Sequence, residues 1–128
     1  MSAPIPPAYL GHLAAATGPD PASVRDFWAP DGVLEFPYAG SVGSAGRLDG
    51  VDAIVGYFDG LRTFRDWSFE AMRAWKIEGS EEYVLETHGS AVIIATGARY
   101  EQDYIVRFGL TPDGRLAWMR EFWDPTRA

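Results

Sequence analysis

The sequence of 128 residues predicts one α+β domain, a curved antiparallel sheet packed on three N-terminal helices. Three observations lead there. Apolar residues recur at three- and four-residue spacing through the first half, and at every second residue from Trp67 onward. Proline and glycine turns punctuate that second half. Helices followed by an antiparallel meander define the α+β class.

The elements follow in order. After a proline-rich start, Ala8 to Thr17 is predicted as a short helix with Leu10, Leu13 and Ala14 on its apolar face, and Gly18 ends it. Asp20-Pro21 opens a second helix with an N-cap acceptor and the proline favoured at the first position. Val24, Phe27 and Trp28 line its face, and Pro30-Asp31-Gly32 stops it. Val33 to Phe36 is a short strand ended by Pro37. The stretch GSVGSAG, Gly40 to Gly46, is expected to be a mobile loop beside a site. Val51, Ile54, Val55, Phe58 and Leu61 form the clearest helical stripe, which gives a third helix. Trp67, Phe69, Ala71, Trp75 and Ile77 share one face of the first long strand. Glu82 to Ile94 is the second. Arg99 to Leu110 is the third, with Tyr100, Gln102, Tyr104, Val106 and Phe108 on one face. Thr111-Pro112-Asp113-Gly114 turns the chain into the last strand, Arg115 to Trp123.

Composition narrows the function. A formal charge of −7 with scattered basic residues argues against a nucleic-acid or anionic-membrane partner. The absence of cysteine excludes disulfides and a thiol nucleophile. No signal peptide and no apolar run of membrane-spanning length is read, so a cytoplasmic protein is expected. Seven Phe, six Tyr and five Trp exceed what a minimal core needs, and fit a lined pocket or an interface equally.

Four long strands close on three helices only if the sheet curls, which leaves a conical space on the concave side. In the last strand Met119, Glu121 and Trp123 share one face, and Trp118, Arg120 and Phe122 the other. Both faces are mostly apolar. If the first faces the concavity, Glu121 is a carboxylate among hydrophobic walls, with a raised pKa suited to acid–base work near neutrality. The competing reading is an exposed Glu121 paired with a neighbouring arginine.

Three segments carry a family likeness: PASVRDFWAPDGVLEFP, GRLDGVDAIVGYF and TPDGRLAWMREFWDP. Their layout resembles the nuclear transport factor 2-like superfamily, in particular its SnoaL-like branch. The closing segment is similar to the phenazine-biosynthesis A/B proteins. The resemblance implies a cystatin-like, cone-shaped α+β barrel, usually a homodimer, with a deep pocket between helices and sheet. The superfamily includes ketosteroid isomerase, limonene-epoxide hydrolase, polyketide cyclases and scaffolds with no chemistry. Within the phenazine-type pattern, Glu121 matches the pocket acid and Tyr100 a pocket tyrosine. The pattern's histidine, at the start of the first long strand, is absent; Trp67-Ser68 stands there.

Further candidates are weaker in sequence. His88 shares a strand face with Glu86, as an acid–base relay or as a solvated pair. Tyr38 is expected at the pocket mouth. Trp28, Tyr57, Phe58, Phe69, Tyr104, Met119 and Trp123 are candidate substrate contacts, or plain core. His12 is expected on the surface of the first helix. Two distant histidines give no metal site, and GSVGSAG lacks phosphate-loop spacing. The reading that results is a cofactor-free pocket enzyme acting on a small hydrophobic cyclic carbonyl compound, by isomerisation, cyclisation or elimination. Two alternatives stand beside it, a binding protein without turnover and a dimeric accessory module.

Overall fold

The computed structural model describes residues 2–127. Helix α1 (Pro7–Ala16) leads through a 3-10 helix (Pro21–Phe27) into strand β1 (Trp28–Glu35). A 3-10 turn (Ala39–Val42) and a short strand β2 (Arg47–Asp49) precede helix α2 (Val51–Gly60). The long strands are β3 (Phe64–Lys76), β4 (Glu82–Ile93), β5 (Arg99–Leu110) and β6 (Leu116–Trp123). A last 3-10 turn spans Pro125–Arg127. Six strands form one sheet in the order β2-β1-β6-β5-β4-β3. Every pairing is antiparallel except β1 with β6, which is parallel.

This is the α+β cone that the hydrophobic periods predict, with three local differences. The second helix is a 3-10 helix, and Trp28 already belongs to β1. Proline at position 30 sits where that strand is irregular, since its register to β6 shifts between Trp28 and Val33. Strand β2 is too short for a period-two signal to be read. On α1 the buried face is rotated: Ala8, Tyr9 and His12 are buried, while Leu10 is 45% exposed.

Strand β3 departs most from simple alternation. Its pairing with β4 slips between Arg65 and Ser68 and again between Glu70 and Arg73. Asp66 and Ala71 stand at those slips with φ of 57° and 53°. Each extra residue reverses the faces beyond it. After the second bulge Ala74 turns fully inward, so Ala71 and Trp75 leave the face that strict alternation assigns them. Bulges also bend and twist a strand, which adds curvature to the β3 edge of the sheet.

The space inside the cone divides along its length. At one end Val24, Trp28, Leu34, Ile54, Leu85, Val106, Phe108, Leu116 and Met119 are packed with at most 1% exposure. Tyr9 and Tyr83 stack on Phe108 there, with centroids 5.2 and 5.3 Å away. At the other end the inward residues of β5 become Tyr104, Gln102 and Tyr100, and the packing opens. Across the β5–β6 pairing Val106 faces Glu121 and Tyr104 faces Trp123. Glu121 therefore stands where the packed core gives way to open space. Among the described residues no helix is long and apolar enough to cross a membrane.

An alanine at φ 53° carries a left-handed penalty of about 1–2 kcal/mol that glycine escapes. Ala71→Gly should therefore raise unfolding stability by up to about 1 kcal/mol after the entropy cost of glycine. Ala74→Gly, at an ordinary buried strand position, should lower it by about 1 kcal/mol. Urea denaturation midpoints of the two variants check this opposite sign.

Candidate functional site

A cavity of about 450 Å³ occupies the open end of the cone. Helix α1 contributes Tyr9, His12, Leu13 and Ala16, a stripe at positions i, i+3, i+4 and i+7. Helix α2 contributes Tyr57 and Phe58, and β3 contributes Phe64, Trp67 and Phe69. Thr87 of β4, Tyr100 and Tyr104 of β5, and Glu121 and Trp123 of β6 complete the sheet wall. Val42 and Ser44, from the glycine-rich segment, stand at the rim.

Glu121 reaches this cavity. Arg120, next to it, turns to the outer face and donates to the Glu35 carboxylate at 3.1 Å. The strand geometry thus separates the two charges that the exposed-pair reading would have joined. Among the described residues no hydrogen bond reaches the Glu121 carboxylate, and burial alone pushes its pKa up to about 7. Among the described residues no fully sealed side-chain nitrogen or oxygen lacks a hydrogen-bond partner. The carboxylate, which has no such partner, must therefore meet the cavity itself.

Phenols surround the acid. Tyr57 is pushed up to about 12, by burial first and then by the nearby Glu121 charge. Tyr9 and Tyr104 are raised further by the same two causes in the same order. All three stay neutral O–H donors across physiological pH. Tyr100 is buried against Phe64, with ring centroids 4.6 Å apart. Its hydroxyl oxygen accepts a hydrogen bond from Gln102 Nε2 at 3.0 Å, which leaves its own proton to be donated.

Gln102 holds this wall in place. It is fully buried and makes four hydrogen bonds. Its Nε2 also donates to the Asp124 carbonyl at 2.9 Å, and its Oε1 accepts from the backbone N–H of Asp124 at 3.0 Å and of Asp103 at 3.1 Å. The end of β6 is thereby tied to β5, three residues beyond Glu121. Period-two alternation places Gln102 inward, yet carries no sign of this latch.

Of the residues singled out in sequence, Glu121, Tyr100, Tyr57, Phe58, Phe69, Tyr104 and Trp123 line the cavity. Four do not. Trp28 and Met119 lie in the packed core, each 1% exposed. Tyr38 is 48% exposed and meets the edge of Phe122, because its 3-10 turn swings to the outer face. His88 also faces outward, since Leu85 and Thr87 take the inward positions of β4. Its partner is not Glu86. Asp103 lies 2.7 Å from Nδ1 and Glu101 3.1 Å from Nε2, and these hydrogen bonds raise its pKa.

Sequence reasoning missed Tyr9 and His12. His12 is buried rather than at the surface, and its Nδ1 accepts a 3.0 Å hydrogen bond from Trp28 Nε1. Burial pushes it down to about 4. The signal that could have found both residues is the 9-12-13-16 spacing, overshadowed by the more apolar Leu10. Among the described residues no group of three or more His, Cys, Asp or Glu side chains could hold a metal ion.

A curved sheet closed by helices, with an acid at the cavity floor, places the molecule in the nuclear transport factor 2-like class. More narrowly, residues 10–119 match the SnoaL-like domain, and the chain belongs to that family. The uncharacterized protein YesE of Bacillus subtilis is 34% identical over 107 residues, covering 83% of this chain and 71% of that protein. The uncharacterized PhzA/B-like protein PA3332 of Pseudomonas aeruginosa is 31% identical over 102 residues, covering 80% and 71%. The crystal structure of the "Putative Isomerase" from Bacillus subtilis superposes with a TM-score of 0.77 at 28% identity, covering 93% of this chain and 90% of that one.

The two shifted interior groups give stability opposite pH slopes. Folded Glu121 holds its proton to about pH 7 against an ordinary 4.5, so stability falls as pH rises through that window. Folded His12 loses its proton by about 4 against an ordinary 6.5, so stability rises with pH through its window. Glu121→Gln removes only the first slope. Relative to wild type, the variant should gain on the order of 3 kcal/mol between pH 5 and pH 8. Denaturation at both pH values measures this, and an unchanged difference contradicts a desolvated acid.

Proposed function

We propose that this protein is a cofactor-independent enzyme that moves a proton on a hydrophobic cyclic or aromatic carbonyl compound. One observation carries the reading: a carboxylic acid without hydrogen-bond partners, at the floor of an aromatic cavity, with its pKa brought to about 7. A group so poised is half ionised near neutrality, where a general base or acid works best. The size of the cavity suits a compound of two or three fused rings.

In the forward step the Glu121 carboxylate takes a proton from carbon α to the carbonyl. The electron pair of that C–H bond moves into the ring system, and charge develops on the carbonyl oxygen. Tyr100 donates its O–H to that oxygen. Its proton is free for this because Gln102 occupies the hydroxyl oxygen as a donor. Glu121 then returns the proton to a different carbon, which is an isomerisation, or the enolate carbon attacks a second carbonyl carbon of the same molecule, whose C=O π pair passes to its oxygen and takes the proton back from Glu121, which is an aldol-type cyclisation. Tyr57 supplies a further neutral donor, and Tyr104, hydrogen-bonded to Tyr100, holds that phenol in place. The first outcome is in keeping with the name of the Bacillus subtilis relative, "Putative Isomerase".

A second reading, binding without turnover, draws on one observation. The strand position where phenazine-type proteins carry histidine holds Trp67 and Ser68, and Trp67 lines the cavity.

Deuterium exchange at the α-carbon of bicyclic aromatic ketones, beginning with 2-tetralone, separates the two. Wild type should accelerate exchange, increasingly as pH rises through about 7. Glu121→Gln should lower the rate by about 10²–10⁴-fold, and Tyr100→Phe by about 10²-fold. Binding without accelerated exchange favours the second reading.

A further inference from the structure

His12 takes no part in the proton transfer just described, yet it is a buried, hydrogen-bonded polar group of the cavity wall. It is 4% exposed and packed edge-on against Phe58, with centroids 5.2 Å apart. Its Nδ1 accepts from Trp28 Nε1 at 3.0 Å. An indole N–H can only donate, so Nδ1 must carry the lone pair. A neutral imidazole then has its single proton on Nε2. Among the described residues Nε2–H has no hydrogen-bond partner, and no sealed side-chain nitrogen is left unsatisfied. Nε2–H is therefore open to the cavity that His12 lines. Taking a second proton would set an N–H at Nδ1 against the N–H of Trp28. His12 is thus unsuited to act as a base and suited to act as a fixed neutral donor.

We infer that His12, with its tautomer set by Trp28, is a second donor beside Tyr100 to the acceptor oxygen of the ligand, on its other lone pair, so that the cavity selects ketones, quinones or phenolates over hydrocarbons of the same shape. Trp28 is the positioning residue of this pair. The inference deepens the carbonyl reading above and rests on it for the class of ligand, but not for turnover. A ligand lacking the oxygen leaves a buried donor unpaired, and a donor group placed there meets N–H with N–H.

The test uses nitrogen-15 NMR of the intact protein, with the His12 signals assigned through His88→Gln. The free protein should show His12 as the Nε2–H tautomer from pH 5 to 8, and Trp28→Phe should convert it to a tautomer mixture. In the Glu121→Gln background, which removes the acid and slows turnover, 2-tetralone should shift the Nε2 resonance and bind about tenfold tighter than tetralin. His12→Phe should abolish that preference. The wild-type resonance stands as the readout if this variant does not fold. An Nδ1–H tautomer, a ketone that leaves Nε2 unmoved, no ketone binding at millimolar concentration, or a preference surviving in folded His12→Phe would overturn the inference. Loss of exchange activity alone would overturn only the acid–base reading.

Discussion

The site is governed by one constraint, an uncompensated carboxylate held at the edge of a hydrophobic core at a cost to the fold. Removing a charge from water without a partner is costly, and the ordinary response is to take up a proton. Among the described residues no arginine pairs with Glu121 and no hydrogen bond reaches its carboxylate to offset that cost. Its resulting pKa of about 7 is a property of the fold. It follows from β6 turning Arg120 outward to Glu35 and Glu121 inward above Val106.

The surrounding architecture maintains that condition. Bulges at Asp66 and Ala71 curl β3, so the cone stays open at its aromatic end. Gln102 spends all its hydrogen-bonding capacity on Tyr100 and on the backbone of residues 103 and 124. Tyr9, Tyr57 and Tyr104 remain protonated beside the acid, and so give donors without adding charge. Buried neutral donors around one weak acid resemble a solvent fixed in place. Such a setting can stabilise an oxyanion with little reorganisation.

Much of this was legible in the residues themselves. The period-two pattern of β5 and the Pro-Asp-Gly turn after it place Tyr100, Tyr104 and Glu121 on the correct face, because neither strand carries a bulge across those positions. Where the backbone adds a residue, alternation fails, as it does beyond Ala71 in β3. Helix α1 misleads for a different reason. Its alanines and Leu10 blur the apolar face, and a histidine in such a helix looks solvated until Trp28 is seen behind it. His88 misleads in the opposite sense. Its proximity to Glu86 along the strand suggests a relay, whereas cross-strand pairing with Asp103 and Glu101 makes an outer-face ion cluster. Contacts distant in sequence, such as the one joining Trp28 to His12 or Gln102 to Asp124, leave no periodic trace.

Carbon-13 NMR of the side-chain carboxyls, with the Glu121 signal assigned by comparison with Glu121→Gln, measures the central quantity without any ligand. A midpoint near pH 7 is the expected result for an acid facing an aromatic cavity. A midpoint at the ordinary value near 4.5 would mean that water reaches the carboxylate freely, and would contradict it.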